Sequence, residues 1–486
     1  MKKALPLYII VVAAFLLLIG DSLFTTGMFV DSLIYSNIAA NMAAGIGDIW
    51  HPVHSDSMFP QFYEHPTLAM WLLSLFYRAF GTSLWVARVY AMLIVLITAG
   101  LTLRLWVLSG FRTATGWMPL LLWTLVPVVT LSSHNIMLEC TMAVFVLSAV
   151  ICLLHPVHRQ WERVLWAAAG GVFLCLAFLT KGFTGIYPLA FPGILWLVDI
   201  PCPTHGQRRQ TLGGAVLQTF VMSVSATACI GLLSLIQPEA WEYIGKYVEN
   251  QVVGGMKVPV VDSRWYIIVK FFEQTVIVWG IAALALIAAW ISHRKGHPIF
   301  PARTEWRTFS TFFILTLSGV IPIMISTKQR DFYILTVFPF FAVAVASLIH
   351  NIIDHWLNHA GRTFAWIVSS LAIIVTAAAI WLNISYYDKP GRDITLQNDM
   401  KLILPYLEDG EHVAIPTNLC GSYSLLAYYY REKRVSLMPV DNISDTTLPY
   451  RHILTDGAVP NLSDGGIKEI ALGTEKYKLY TLVHRQ

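Results

Sequence analysis

Apolar runs of eighteen or more residues recur along this chain, and each is long enough to cross ~30 Å of hydrocarbon as a helix. That repetition constrains the fold more than any other feature. Composition agrees: of 486 residues, 56% are hydrophobic and 13% charged, where a soluble domain carries roughly 25% charged residues. Mean hydropathy is +0.60. The reading is an all-α polytopic transmembrane bundle of about eleven helices, thirteen at most, with interfacial helices and a small C-terminal α/β domain.

Candidate spans run over 8–29, 84–108, 117–133, 140–154, 164–180, 186–199, 212–236, 266–291, 308–326, 332–349 and 363–384. The first follows Met1-Lys2-Lys3. No small-x-small cleavage site comes after it and apolar residues continue to Phe29, so it reads as an uncleaved span rather than a signal peptide. If the lysines hold the N-terminus inside, the inner junctions contain Arg112; Arg159 and Arg163; Arg208 and Arg209; Arg294, Lys295, Arg303 and Arg307; and Arg362. The outer junctions are poorer in Lys and Arg, as the positive-inside rule requires. An odd number of spans then puts the tail outside, on the face that carries Asp31, Glu64 and Glu139.

The expected domains are a membrane domain, 1–384, and an outer α/β domain, 385–486. Within the first, outer loops occupy 30–83 and 237–264. Residues 31–44 have apolar side chains at helical spacing (Leu33, Ile34, Ile38, Met42) and read as an amphipathic helix at the interface. Residues 67–80 are apolar but short for a span. In the tail, 396–407 reads as a helix and 412–416, 435–439, 452–454 and 478–483 as strands. Six cysteines show no paired spacing, so neither a disulfide framework nor a metal cluster is inferred.

Ionisable residues at membrane depth are expensive and are functional candidates. Asp31, Glu64 and Glu139 share the outer face and are positioned to form one acidic cavity; the bland alternative is that Asp31 and Glu139 only cap helices. Lys181, Lys328 and Arg330 lie on the same face, against the charge trend. A lipid phosphate is the natural partner there, with snorkelling to headgroups as the bland alternative. Since such a site is wet, truncating one of these cations is expected to leave the fold largely intact.

Six segments in order resemble the GT-C superfamily of polyprenyl-phosphate-dependent glycosyltransferases, in the branch of lipid A aminoarabinose transferases and protein O-mannosyltransferases. They are Asp31-Ser32-Leu33-Ile34-Tyr35 with Ile38-Ala39, Gly47-Asp48-Ile49-Trp50-His51-Pro52, Glu64-His65-Pro66-Thr67-Leu68, Leu138-Glu139-Cys140, Lys181-Gly182-Phe183, and Arg330 through Tyr333 to Pro339. Ser32 stands where the family has a second acidic residue, and His65 where it has a lysine. Glu249-Asn250 stands where metal-binding relatives have a Glu-His pair.

The resemblance implies transfer of a hexose or pentose from a polyprenyl-phosphate donor, undecaprenyl phosphate in a bacterium, with inversion. The acceptor would be a periplasmic glycolipid such as lipid A, a glycan or a protein. The chain would be a multi-pass protein of the inner membrane. Asp31 would be the catalytic base, with Glu64 and Glu139 orienting the acceptor. Lys181, Lys328, Arg330 and Tyr333 would hold the donor phosphate, and Tyr35, His65 and Pro66 would line the pocket. Glu64 and His65 would be the ligands of any divalent cation. No nucleic-acid partner is expected. The competing reading is a polytopic transporter of a lipid or small solute, but transporters commonly show paired halves, which this sequence lacks.

Overall fold

The computed structural model describes residues 4–201, 209–255, 260–294, 301–445, 447–457 and 466–482. Arg208, Lys295, Cys202, the last residue of the expected strand 478–483 and part of the expected loop 237–264 lie outside them. The described residues form two compact units. One, here the helical unit, comprises Met1–Gly20, Tyr63–Ala69 and Arg88–Ser385; the other, the sheet unit, comprises Asp21–Phe62, Met70–Ala87 and Tyr386–Gln486. Segments 21–62 and 70–87, read from the sequence as part of the membrane domain, thus pack with the C-terminal residues.

Every expected span is at least partly helical, but not every one is a full span. The helices met in chain order are α1 Leu5–Leu18, α2 Val30–Ala43, α3 Leu68–Phe80, α4 Leu84–Leu108, α5 Trp117–Thr124, α6 Pro127–Ser133, α7 Leu138–Leu154, α8 Gln160–Lys181, α9 Phe191–Asp199, α10 Leu212–Ile236, α11 Pro238–Tyr247, α12 Tyr266–Arg294, α13 Arg303–Val320, α14 Phe338–His359 and α15 Arg362–Ser385. By length and composition, seven helical stretches among the described residues suit a crossing: α4, α8, α10, α12, 303–325, 331–359 and α15. An eighth is counted if α5 and α6, bent by 87° at their junction, make one broken span. The bend follows from Pro127 at the start of α6; proline disfavours helical backbone in the residue before it and donates no N–H. The first expected span, 8–29, is corrected: α1 stops at Leu18, and Thr26 beyond it bridges to Pro390 instead of continuing a helix.

The core of the helical unit forms around α14, where Phe338 through Ile349 are buried without interruption. Aromatic rings interleave there: Phe312 stacks between Phe191 at 6.1 Å and Phe340 at 6.2 Å. A helix apolar on all sides suits such a central position. α13, α5 and α12 pack against it, and α8 packs on both α7 and α10; the ends of α7, α8 and α13 carry polar groups discussed below.

The sheet unit has strands β1 His412–Pro416, β2 Ser436–Val440, β3 His452–Thr455, β4 Ile467–Ile470 and β5 Lys478–Leu482, with helices α16 Ile394–Ile403 and α17 Tyr423–Lys433. The sheet order is β2-β1-β3-β5-β4; β1 pairs in parallel with β2 and β3, while β5 runs antiparallel to β3 and β4. β4 and α17 were not anticipated from the sequence. Helix α2 has its expected apolar stripe, but its opposite face is buried too. There Asn37 donates to the Ala427 carbonyl at 2.9 Å, Ser36 Oγ accepts from Arg431 at 2.9 Å, and Asn41 accepts from Tyr430 at 3.2 Å. Buried polar side chains are tolerated when paired in this way.

Candidate active site

Two helix ends in the helical unit converge on one ion pair. α7 begins with Leu138-Glu139, and α8 ends with Lys181. Glu139 is 0% exposed and Lys181 4%, and the ammonium donates to the Glu139 carboxylate. The same ammonium lies 4.8 Å from the Tyr333 ring centroid and 5.4 Å from that of Phe332, close enough for cation–π attraction. α8 ends here because Gly182 adopts φ +87°, and a Cβ there would overlap the Tyr247 ring. Glycine is the residue that meets both demands.

A second, more open cluster lies on the same unit. Gln251 donates to Glu64 and accepts from Lys328 Nζ at 2.7 Å; Lys328 Nζ also lies 3.7 Å from Glu64. The side chains of Lys328 and Glu64 are 31% and 41% exposed. The main chain at His65 is fixed by Tyr243, whose hydroxyl donates to the His65 carbonyl at 2.7 Å.

Between the clusters lies a cavity of about 830 Å³, within the size range of ligand pockets. Its polar lining includes His65, Lys181, Thr184, Gln251, Ser318, Ser326 and Lys328, with Tyr187, Tyr247 and Tyr333. The remaining wall is largely apolar and includes Phe183, Ile186, Leu317, Ile321 and Ile323. Close packing behind this wall is set at Gly319, where a Cβ would lie 2.6 Å from the Val337 side chain. Burial holds the His65 imidazole well below its usual pKa, and the Lys181 and Lys328 charges push it further down.

Of the residues singled out in sequence, Glu64, His65, Glu139, Lys181, Lys328 and Tyr333 gather around this cavity, and Pro66 is buried beside His65. Arg330 is exposed and precedes the 3-10 turn Asp331–Val337; it is not in the lining. Asp31, in the first turn of α2, and Tyr35, buried with its ring 6.2 Å edge-on to Phe62, belong to the sheet unit. Gln251, Tyr243 and Tyr247 were missed. They come from α11 and the turn after it, a loop whose sequence drew attention only to Glu249 and Asn250, both exposed.

The expected metal ligands do not fit a cation. Glu64 is engaged by Gln251 and Lys328, and His65 sits in the field of two ammonium groups, which repels a divalent ion. No group of three or more His, Cys, Asp or Glu side chains suited to a metal occurs among the described residues.

Residues 64–226 match the family described as dolichyl-phosphate-mannose-protein mannosyltransferase; no curated protein sequence matches the chain. Among solved structures the chain is similar to ArnT from Cupriavidus metallidurans. The form bound to undecaprenyl phosphate gives 16% identity, 98% of each chain covered and a TM-score of 0.59; the apo form gives 0.60 at the same identity and coverage. It is also similar to the archaeal oligosaccharyltransferase AglB from Archaeoglobus fulgidus, solved with an inhibitory peptide and a dolichol-phosphate, at 13% identity and TM-score 0.50, covering 94% of this chain and 70% of that one. At these identities the structural likeness is one of fold, and the family match spans the segments that carry Glu64, Glu139 and Lys181. The chain thus shares the fold of ArnT and AglB, its segment 64–226 matches the mannosyltransferase family model, and seven of its described helical stretches suit a membrane crossing.

Proposed function

We propose that the chain moves a sugar from a polyprenyl-phosphate donor to a glycolipid, glycan or protein acceptor at the outer, periplasmic face of a bacterial inner membrane. The observation that carries this reading is the cavity, which brings Lys181 and Lys328 together with a largely apolar wall. A ligand with one anionic head and a hydrocarbon tail fits that division. The ArnT structure with undecaprenyl phosphate and the AglB structure with a dolichol-phosphate support the same class of donor.

In this reaction the bond from the anomeric carbon to the phosphate oxygen breaks and the phosphate leaves with the electron pair. Lys328 and Lys181 meet the charge that develops. Lys181 has three N–H donors; Glu139 takes one and fixes the ammonium, which leaves others for the cavity. Donors held in place before reaction are a typical source of electrostatic catalysis. The acceptor oxygen attacks from the opposite side of the sugar, giving inversion, and Asp31 takes its proton. A phosphate acceptor is already ionised and needs no base.

The test is a transfer assay with purified chain, a polyprenyl-phosphate sugar and a hydroxyl acceptor, read by mass spectrometry of the acceptor. Covalent transfer is expected, and Asp31→Asn should slow it by about 10²–10⁴ with little loss of folded protein. Flux of donor across proteoliposomes without transfer would favour the transporter reading. Near-parental turnover in Asp31→Asn at saturating donor would remove Asp31 from the mechanism.

A further inference from the structure

The helices that form the cavity above also form a second one at their other ends. α8 carries Lys181 at its C-terminus and Arg163 near its N-terminus. Eighteen residues of helix separate them, about 27 Å at 1.5 Å per residue, close to the ~30 Å thickness of the hydrocarbon core. α13 likewise lines the first cavity with Leu317 and Gly319 and the second with Thr308 and Thr311. The second cavity, about 350 Å³, therefore opens at the opposite face of the bundle.

Its polar lining is built rather than incidental. Asp199 accepts from Arg307 Nε at 2.7 Å and from the Gln210 backbone N–H at 2.9 Å, and Gln210 Nε2 donates to Gln218 at 2.6 Å. Asp199, Gln210 and Gln218 are all buried. Arg163, Arg307, His155 and His158 line the cavity, and among the described residues Asp199 is the single carboxylate in the lining. His155 stacks on Trp166 with centroids 4.0 Å apart, and Leu153, Leu195 and Phe312 supply apolar wall.

One buried atom points to an occupant. Thr311 is 3% exposed, yet its hydroxyl has no hydrogen-bond partner among the described residues. Its neighbours on the same helix are satisfied: Thr308 donates to the Thr304 carbonyl at 3.0 Å and Thr316 to the Phe312 carbonyl at 2.8 Å. A helical threonine normally makes that bond. Thr311 instead faces a cavity whose charged groups are mostly cationic, and a buried hydroxyl without a partner is unfavourable.

We propose that this second cavity binds the phosphate headgroup of a membrane lipid, with Arg163 supplying charge and Thr311 a hydroxyl hydrogen bond, independently of the sugar-transfer site. Guanidinium groups suit phosphate oxygens, and the apolar wall makes a lipid-borne phosphate a better fit than a soluble one.

The experiment titrates the purified full chain with dioleoyl phosphatidic acid, reading bound lipid by native mass spectrometry. The parent should bind a saturable equivalent at this site. Arg163→Gln and Thr311→Val should each weaken it about tenfold, whereas Lys328→Ala, at the other end of the bundle, should not change it. Thr311→Val is the safer variant for folding, because it removes a hydroxyl that makes no internal bond. Unchanged binding in both Arg163→Gln and Thr311→Val would overturn the proposal, as would equal binding of dioleoylglycerol, which lacks the phosphate. Displacement by millimolar inorganic phosphate would assign the site to a soluble anion and overturn the lipid assignment.

Discussion

The helical unit holds two carboxylate–lysine pairs on one cavity, and they are built in opposite ways. Glu139 and Lys181 meet directly, sealed from water, one at the start of a helix and one at the end of another. Glu64 and Lys328 are half-exposed, 3.7 Å apart, and an amide, Gln251, stands between them. A buried pair is costly to break because the survivor is an unpaired charge in a poor solvent. An exposed pair contributes little and can exchange partners freely. The first pair is therefore a fixed electrostatic element, and the second is the part able to rearrange around an incoming anion.

The largest effect expected follows from breaking the fixed pair. Glu139→Ala leaves the Lys181 ammonium buried without its carboxylate, and removing one partner of a buried pair typically costs about 3–5 kcal/mol. The same reasoning applies to Lys181→Ala and corrects the sequence-based expectation that truncating Lys181 leaves the fold intact: the residue is 4% exposed, not in a wet site. Both variants should lose most of their monodisperse protein in fluorescence-detected size exclusion. The neutral double variant Glu139→Gln with Lys181→Met should recover it while failing to bind donor. Monodisperse yields equal to the parent in both single variants would show that the pair carries no structural weight.

Next comes the open cluster. Lys328→Ala removes a cation whose partners, Glu64 and Gln251, are accessible to water, so stability should change by no more than about 1 kcal/mol. Donor binding should suffer more: a charge-assisted hydrogen bond is worth roughly 1.5–3 kcal/mol, a tenfold to hundredfold weakening of polyprenyl-phosphate affinity. Microscale thermophoresis with a short polyprenyl phosphate reads this directly. Lys328→Ala that unfolds but binds normally when folded would reverse the assigned roles.

The sequence made both members of the fixed pair visible but not their pairing, and the open cluster only half so. Glu139 and Lys181 stand out as charges beside long apolar runs, where each needs a reason to exist. Glu64, His65 and Lys328 were flagged by their neighbours in chain order. Gln251 carried no such signal, because a glutamine in a polar loop is ordinary and its meaning comes from the fold that brings 64, 251 and 328 together. Arg330 shows the converse: it has the right residue type and position in sequence, but the 3-10 turn that follows leaves its side chain in solvent. At the level of fold, the break between α5 and α6 at Pro127 falls inside 117–133, which the sequence reading took as one span. The end of α1 at Leu18 was hidden because Leu23, Phe24, Met28 and Phe29 continue the apolar run while packing within the sheet unit. The polar face of α2 was equally opaque, since its partners Ala427, Tyr430 and Arg431 lie nearly four hundred residues away in sequence.

The smallest effect distinguishes the two pairs by pH. His65 lies between them and faces Lys181 and Lys328, with Glu64 as its neighbour in the chain. Burial and both ammonium charges lower its folded-state pKa well below the usual value, so the imidazole is neutral in the folded chain throughout pH 6.5–8. The sign of the linkage follows. Below about pH 6.5 the unfolded chain takes up a proton at this residue that the folded chain refuses, so folding weakens as pH falls. Stability contributed by the neutral imidazole is complete above that pH and is lost progressively beneath it. Donor affinity should change by less than about twofold between pH 8 and 6.5, since the His65 imidazole stays neutral across that range. His65→Gln should flatten the acid limb of the stability profile without moving the neutral plateau. Removing one of the neighbouring charges should shorten that limb and reduce the stability lost at its acid end, because a histidine with one less cation beside it accepts its proton in the folded chain more readily; Lys328→Ala tests this in a folded background. Thermal unfolding of the parent, His65→Gln and Lys328→Ala from pH 5 to 8 supplies the comparison. A titration in donor binding centred near pH 6.5 in the parent and absent from His65→Gln would mean that the imidazole is solvated and that the two lysines do not act on it.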